Sequence, residues 1–170
     1  MHSEDSFHLG VKALIHNLEG RLLLLQSKPK KFKKEGGSYW DIPGGRIQKN
    51  ESLEEALKRE VYEETGLQNI TLVSPFKMAL SNIRIPTQNG DVGLIFATYL
   101  CEVIGDSSIQ LSDEHIDFGW FDPYKAIELL AANYPAELVD KFAELHREPV
   151  EKKVTGSNCC STAQALSGGR

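Results

Sequence analysis

Apolar residues come in short bursts at the start of the chain. His8 to His16 and Arg21 to Gln26 are rich in Leu, Val and Ile, and Asn17-Leu18-Glu19-Gly20 separates them. Runs of this length, linked by residues that tolerate left-handed backbone, predict a β-hairpin. Tyr39 to Ile42 is a further short apolar piece, left through Pro43-Gly44-Gly45. The pattern then becomes helical over Ser52 to Thr65, where Ser52-Leu53-Glu54-Glu55 is a capping box and Gly66 supplies a left-handed stop. Ile70 to Leu80 and Val92 to Val103 read as partner strands of a longer hairpin, with Asn89-Gly90 as a tight-turn dipeptide between them. Asp117 to Phe121 is another strand. Asp122-Pro123 then gives an N-cap and a first-turn proline for a helix to about Asn133, and a last helix runs from Pro135 to about Arg147. Strands with helices interspersed, and no internal repeat, predict a mixed α/β or α+β sandwich.

Size and composition fit one domain. The chain has 170 residues, 41% hydrophobic and 25% charged, enough for a real core and too little for two large ones. Residues 1–6 read as a short N-terminal extension and 7–148 as the folded domain. Beyond Pro149 the chain is polar and small, so 149–170 reads as a flexible tail that buries too little apolar surface to offset its ordering entropy. The longest mainly apolar stretch, Val92 to Leu100, falls well short of the roughly 20 residues of a membrane helix. Met1 to Asp5 carries no basic region leading into an apolar one, which makes the cytoplasm the expected compartment.

Charge and cysteines narrow the chemistry. A net charge of −5 is the opposite of what binding to a polymeric nucleic acid requires. Cys101, Cys159 and Cys160 have neither the count nor the spread of a disulfide framework and read as free thiols. The segment Lys28 to Gly37 carries five lysines. It is either a solvated loop or a rim that concentrates anions around an acidic protein.

The Ser52–Thr65 helix carries the strongest chemical signal. With Glu60 as origin and about 100° per residue, Leu53 falls at about +20°, Ala56 at about −40° and Leu57 at about +60°. Glu63 falls at about −60° and Glu64 at about +40°, so three acids share the face of the apolar residues, while Glu54, Glu55, Lys58, Arg59 and Tyr62 fall on the solvent side. Unpaired like charges held against a core are costly and drive protonation. Two readings remain: an acidic face that points past the core edge to water, or oxygen ligands for a hard divalent ion such as Mg²⁺ or Mn²⁺. No histidine or cysteine lies in the cluster, which argues against zinc. Gly44 and Gly45 let backbone approach the acidic turn, and a backbone carbonyl could then serve as a ligand.

Gly45-Arg46-Ile47-Gln48-Lys49-Asn50-Glu51, seven residues, then Arg59-Glu60-Val61-Tyr62-Glu63-Glu64-Thr65-Gly66-Leu67 resembles a complete Nudix box. The resemblance extends from about Phe7 to Arg147 and includes the Tyr39-Trp40-Asp41-Ile42-Pro43-Gly44 lead-in and the Trp120-Phe121 strand. It implies an α/β/α sandwich around a mixed, largely antiparallel sheet, and Mg²⁺-dependent hydrolysis of a pyrophosphate bond in a nucleoside diphosphate derivative, with Mn²⁺ as substitute. By the same resemblance Glu60, Glu63 and Glu64 are metal ligands, Gly44 adds a carbonyl, and Glu60 is the first choice of base. Arg59 would orient the catalytic glutamate and Glu51 would brace the loop and helix. Glu114 would be a further ligand or base, or else an ordinary loop acid. Lys28, Trp40 and Gly45 are candidates for substrate contact.

The box names a reaction class and leaves the substrate to other residues. Subgroup markers expected about 15 and about 16 residues beyond it are absent, since Asn82 and Ile83 stand there. A nucleoside triphosphate, oxidised ones included, is the expected substrate; a nucleotide sugar, a dinucleoside polyphosphate and an NAD-like compound are the alternatives. A reading of another class is a non-catalytic domain that senses a nucleotide. The oligomeric state, a homodimer included, stays open.

Overall fold

The computed structural model describes residues 4–28, 38–88 and 90–146. Most of the lysine-rich segment, Asn89 of the expected turn, the 149–170 tail with Cys159 and Cys160, and the Arg147 helix end lie outside the described residues. Among the described residues, seven strands and three helices follow one another as β1 Phe7–His16, β2 Leu22–Ser27, β3 Tyr39–Asp41, α1 Leu53–Thr65, β4 Ile70–Leu80, β5 Ile85–Thr87, β6 Gly90–Val103, β7 His115–Phe121, α2 Pro123–Leu130 and α3 Ala136–Leu145.

The strands form one mixed sheet in the order β3-β2-β1-β6-β4, with β5 also on β6 and β7 also on β2. Among the described strands only β1 and β6 run parallel, over the whole of β1 from Phe7↔Gly93 to His16↔Glu102. Side chains alternate across a strand, and the alternation here separates two cores. Leu14, Leu22, Leu24 and Phe96 pack on one side with Ala126 and Leu130 of α2 and Leu138 and Phe142 of α3. Val11, Ala13, Ile15, Leu23 and Leu25 pack on the other with Ala56, Leu57 and Val61 of α1. The result is the α/β/α layering expected, with β2 fully buried from Leu22 to Leu25 because both its faces are covered.

Two hairpin expectations change. β1 and β2 pair only at His16↔Leu22. Beyond that point β2 turns to β3 and β7, while β1 takes β6 on one side and a non-strand segment on the other. The chain leaves β2 after Asp41↔Leu25 and crosses to β1, where Ala13 N–H donates to Pro43 O (2.8 Å), Val11 N–H to Gly45 O (2.9 Å) and Ile47 N–H to Leu9 O (3.2 Å). β4 does pair antiparallel with β6 from Ile70↔Val103 to Leu80↔Ile95. The tight connection, however, joins β5 to β6 at Thr87↔Gly90, so a third strand sits where a single loop was expected.

α1 is capped as its sequence dictates. Ser52 Oγ accepts from Glu55 N–H, Glu55 accepts from Ser52 N–H, and Gly66 closes the helix at φ 74° with its N–H on Tyr62 O. The buried stripe lies further round than the apolar pattern suggests. Val61 and Thr65, at about +100° and about +140° on the wheel, are completely buried, whereas Leu53 remains 38% exposed. Glu60 and Glu64, at 0° and about +40°, thus fall within the span of the buried stripe, and Glu63, at about −60°, falls outside it.

α2 stops at Leu130, short of Asn133, and α3 ends beside β1, where His146 stacks on His16 at 5.4 Å and Phe142 meets His146 edge-on at 4.8 Å. Burial, reinforced by His146, pulls His16 down to about 4. A base whose folded value lies below its unfolded one contributes stability above about 6.5 that is lost as pH falls through about 4. His16→Phe is therefore expected to flatten the fall in Tm between pH 6.5 and 4; an acid limb as steep as that of the parent protein would refute this role.

Candidate active site

The segment laid along β1 brings glycine backbone against the acidic end of α1. Gly44 adopts φ 137°, and a Cβ there would strike Val11 O. A Cβ on Gly45 would run into the carboxylate of Glu60. Both positions demand glycine, the first for conformation and close packing, the second to leave room for the acid. Gly44 N–H donates to Glu64 Oε2 at 2.9 Å. The Pro43 and Gly45 carbonyls are taken by β1 amides, while neither of those amides uses the Gly44 carbonyl.

The three acids of α1 are not equivalent. Side-chain exposure is 16% for Glu60 and 14% for Glu64, but 55% for Glu63. Arg59, expected on the solvent side, instead folds over the face and is 22% exposed. Its Nε and Nη2 grip Glu51 at 2.6 and 2.9 Å, and its Nη1 donates to Glu60 Oε1 at 2.8 Å and Glu63 Oε2 at 3.2 Å. Nη2 also reaches Arg46 O at 3.2 Å, and Glu51 accepts from Gln48 N–H. One guanidinium thereby ties the 46–51 loop to two acids of the helix, as its planar fork allows. Arg59 hydrogen bonds and the Gln48 N–H hold Glu51 down at about 2.

Glu64 shows the opposite effect. Burial pushes its carboxyl up to about 7; Lys12 and the Gly44 N–H oppose the rise, and Asp41 and Glu60 add to it. His115 Nε2 lies 3.9 Å from Glu64 Oε1, and Ser112 Oγ sits 3.1 Å from the other ring nitrogen. Lys12, buried on β1, was not singled out from the sequence. Only the alternation of β1 could have signalled it, as a charge at a position sharing its face with the buried Leu14.

These groups border a cleft of about 640 Å³. Gly44, Gly45, Glu60, Glu64, Lys28 and Glu114 all line it. Lys28 is anchored by its own chain, with N–H on Glu114 O at 3.1 Å and Nζ on Asp113 O. Ile83, Ile85, Leu94 and Phe96 form an apolar part of the lining. Trp40 is not brought to the cleft; it packs edge-on against Phe121 at 4.8 Å, beside the α2–α3 core. Glu51, Arg59 and Glu63 support or flank the cleft without lining it. Among the described residues no three His, Cys, Asp or Glu side chains converge as a ready metal cage.

With this fold and this box, the chain belongs to the Nudix family: the NUDIX domain profile matches residues 6–142. The nucleoside triphosphatase NudI of Escherichia coli O17:K52:H18 is 30% identical over 89 residues, 49% of this chain and 62% of that protein. An octanoyltransferase of Myxococcus xanthus is 33% identical over 114 residues, 66% of this chain and 29% of that protein. The chain thus spans less than two thirds of the length of these curated relatives. Among solved structures, the MutT protein of Methanosarcina mazei Go1 is 32% identical with a TM-score of 0.56, over 84% of this chain and 95% of that one. The Escherichia coli dihydroneopterin triphosphate pyrophosphohydrolase, 16% identical with a TM-score of 0.61 over 82% of this chain and 97% of that one, shares the fold. No helix among the described residues is long and apolar enough to cross a membrane.

The raised Glu64 carboxyl has a measurable consequence for the metal-free protein. The fold favours the protonated acid, so the contribution is full below about 4.5 and is lost as pH rises through about 7. Glu64→Gln is expected to raise Tm by several degrees at pH 8 and to change it little at pH 4. A Tm difference independent of pH would show that Glu64 is not held in this strained ionisation.

Proposed function

We propose that the protein hydrolyses a pyrophosphate bond in a nucleoside triphosphate with the help of a divalent cation held at Glu60 and Glu64. The observation that carries this reading is the pair of half-buried carboxylates facing side-chain-free backbone at Gly44 and Gly45.

The donor set suits Mg²⁺, with Mn²⁺ as substitute. It is all oxygen, it includes an acid whose ionised form lacks sufficient countercharge, and a carbonyl stands beside it that the neighbouring β1 amides leave alone. Mg²⁺ keeps several waters and is commonly held by one or two carboxylates together with substrate phosphates, so a preformed cage is not required. Glu60 and Glu64 would hold the ion, with the Gly44 carbonyl and the more exposed Glu63 as further ligands. When bound, it neutralises phosphate charge, lowers the pKa of water and aligns the displacement.

The chain's own groups do the rest. Glu60, reached by Arg59 through a single nitrogen, keeps one oxygen outside that bond and is the first choice to take the proton from the attacking water. Glu114, lining the same cleft from the loop before β7, is the second choice. Arg59 and Glu51 fix the orientation of Glu60. Lys28 stands where an anionic phosphate chain would pass. The apolar lining at Ile83, Ile85, Leu94 and Phe96 suits a nucleobase better than a second sugar, which favours a nucleoside triphosphate over a nucleotide sugar. The NudI relative, a nucleoside triphosphatase, points the same way.

A screen of nucleoside triphosphates, nucleotide sugars, dinucleoside polyphosphates and NAD, with Mg²⁺ or Mn²⁺ and identification of products, tests the reading. Nucleoside monophosphate plus pyrophosphate is the expected outcome; binding without turnover would instead support a nucleotide sensor. Glu60→Gln should keep the fold and lower turnover by about 100-fold or more, the loss expected for a ligand or base. If Glu60→Gln turns over normally while Glu114→Gln is inactive, the base is Glu114.

A further inference from the structure

Lysine is rarely buried unless it is paired. Lys12 is 6% exposed in the middle of β1, on the face it shares with the buried Leu14. Its Nζ donates to Asp41 Oδ2 at 3.0 Å and to Ile42 O at 2.9 Å, and lies 5.8 Å from the centre of the Phe96 ring. Asp41 is held in turn: its Oδ1 accepts from Ile42 N–H at 2.8 Å and from the hydroxyl of Tyr134, which enters from between α2 and α3. The residues on either side of Lys12 complete the grip, since the Val11 and Ala13 amides hold Gly45 and Pro43. Charge, hydroxyl and backbone thus converge on 41–45 from β1 and from the far helical layer.

We propose that Lys12 is a positioning residue. It pins the 41–45 segment to β1, with Asp41 as counter-ion and Tyr134 orienting Asp41, and so sets the Gly44 amide against Glu64 and leaves Gly45 bare against Glu60. Its catalytic consequence rests on the reading of Glu60 and Glu64 as cation ligands; its structural consequence does not. Lys12 and Asp41 also line the cleft, but the two Nζ hydrogen bonds of Lys12 go to the 41–45 segment, so its expected action is through the turn and not through contact with the nucleotide. Removing Lys12 alone strands Asp41 as a buried charge, whereas removing both charges relieves that cost, which makes the pair separable from a general packing effect.

Lys12→Met keeps the bulk of the stem and removes the charge; Lys12→Arg keeps the charge; Asp41→Asn and Tyr134→Phe loosen the other ends, and Tyr134→Phe, losing only a hydroxyl, provides a foldable variant if Lys12→Met does not fold. Hydrogen exchange on the metal-free protein should show amides 42–46 opening about tenfold faster in Lys12→Met and to a smaller degree in Tyr134→Phe, with α1 unchanged. Lys12→Arg should restore most of the protection, and Lys12→Met with Asp41→Asn should be no worse than Lys12→Met alone. In turnover of a nucleoside triphosphate, the Mg²⁺ concentration for half-maximal rate should rise about tenfold in Lys12→Met while the nucleotide KM stays within about twofold. Unchanged exchange at 42–46 in both Lys12→Met and Tyr134→Phe would overturn the proposal. So would a raised nucleotide KM with unmoved Mg²⁺ dependence, the mark of direct substrate contact. Should the wild-type protein turn over no nucleotide, the hydrolase reading fails, and the exchange experiment still decides the positioning role.

Discussion

Like charges crowd the floor of the cleft, and the surrounding structure is arranged to tolerate them. Asp41, Glu60 and Glu64 are close enough that the first two help push up the carboxyl of the third. Two cations offset them from opposite ends. Lys12 is bonded to Asp41 from β1, and Arg59 is bonded to Glu60 from the helix itself. Neither forms an ion pair with Glu64, which has one backbone amide, the distant charge of Lys12 and His115 Nε2 at 3.9 Å. A protein selected only for stability would place an apolar side chain there, since a buried carboxylate without a full countercharge costs free energy. On the proposed reading, the retained cost would give a divalent cation something to bind.

The same constraint explains the local backbone. Acids set within a buried stripe can meet main chain only where that main chain has no side chains, and Gly44 and Gly45 meet this condition on a segment held by β1 amides. The separation of β1 from β2 after a single paired position opens the place where this segment lies. The sheet therefore parts where the site is built, while the β1–β6 register beside it is unbroken.

Much of this could be read before any coordinates. α1, its capping box and its glycine stop follow from local chemistry, which depends on residues a few positions apart. β4 begins and ends as its apolar pattern indicates, and α2 begins on its Asp122-Pro123 signal. What the pattern misjudged depends on distant partners. The early hairpin reduces to one pair because the 43–47 segment, some thirty residues on, takes the edge of β1 that β2 would use, while β6 pairs with the other edge over its full length. Arg59 looked solvent-facing on a helical wheel because a wheel fixes where a side chain starts, and the length of arginine lets its guanidinium return to Glu51 and Glu60. Trp40, an aromatic residue beside the glycine turn, could stack on a base but more readily packs in the core; Phe121 across the sheet decides for the core. Lys12 drew no notice because one charged residue in a strand reads as surface until its partner Asp41 is placed opposite.

The central claim is that the half-buried acids of α1 exist to hold a doubly charged ion. Electron paramagnetic resonance of Mn²⁺ added to the nucleotide-free protein reads that directly, because bound and free Mn²⁺ give different signal amplitudes. Saturable binding at one or more sites, competed by Mg²⁺ and abolished when Glu60 and Glu64 are both changed to Gln in a protein that still folds, is the expected result. Mn²⁺ binding that is unaltered in that double variant would contradict the claim.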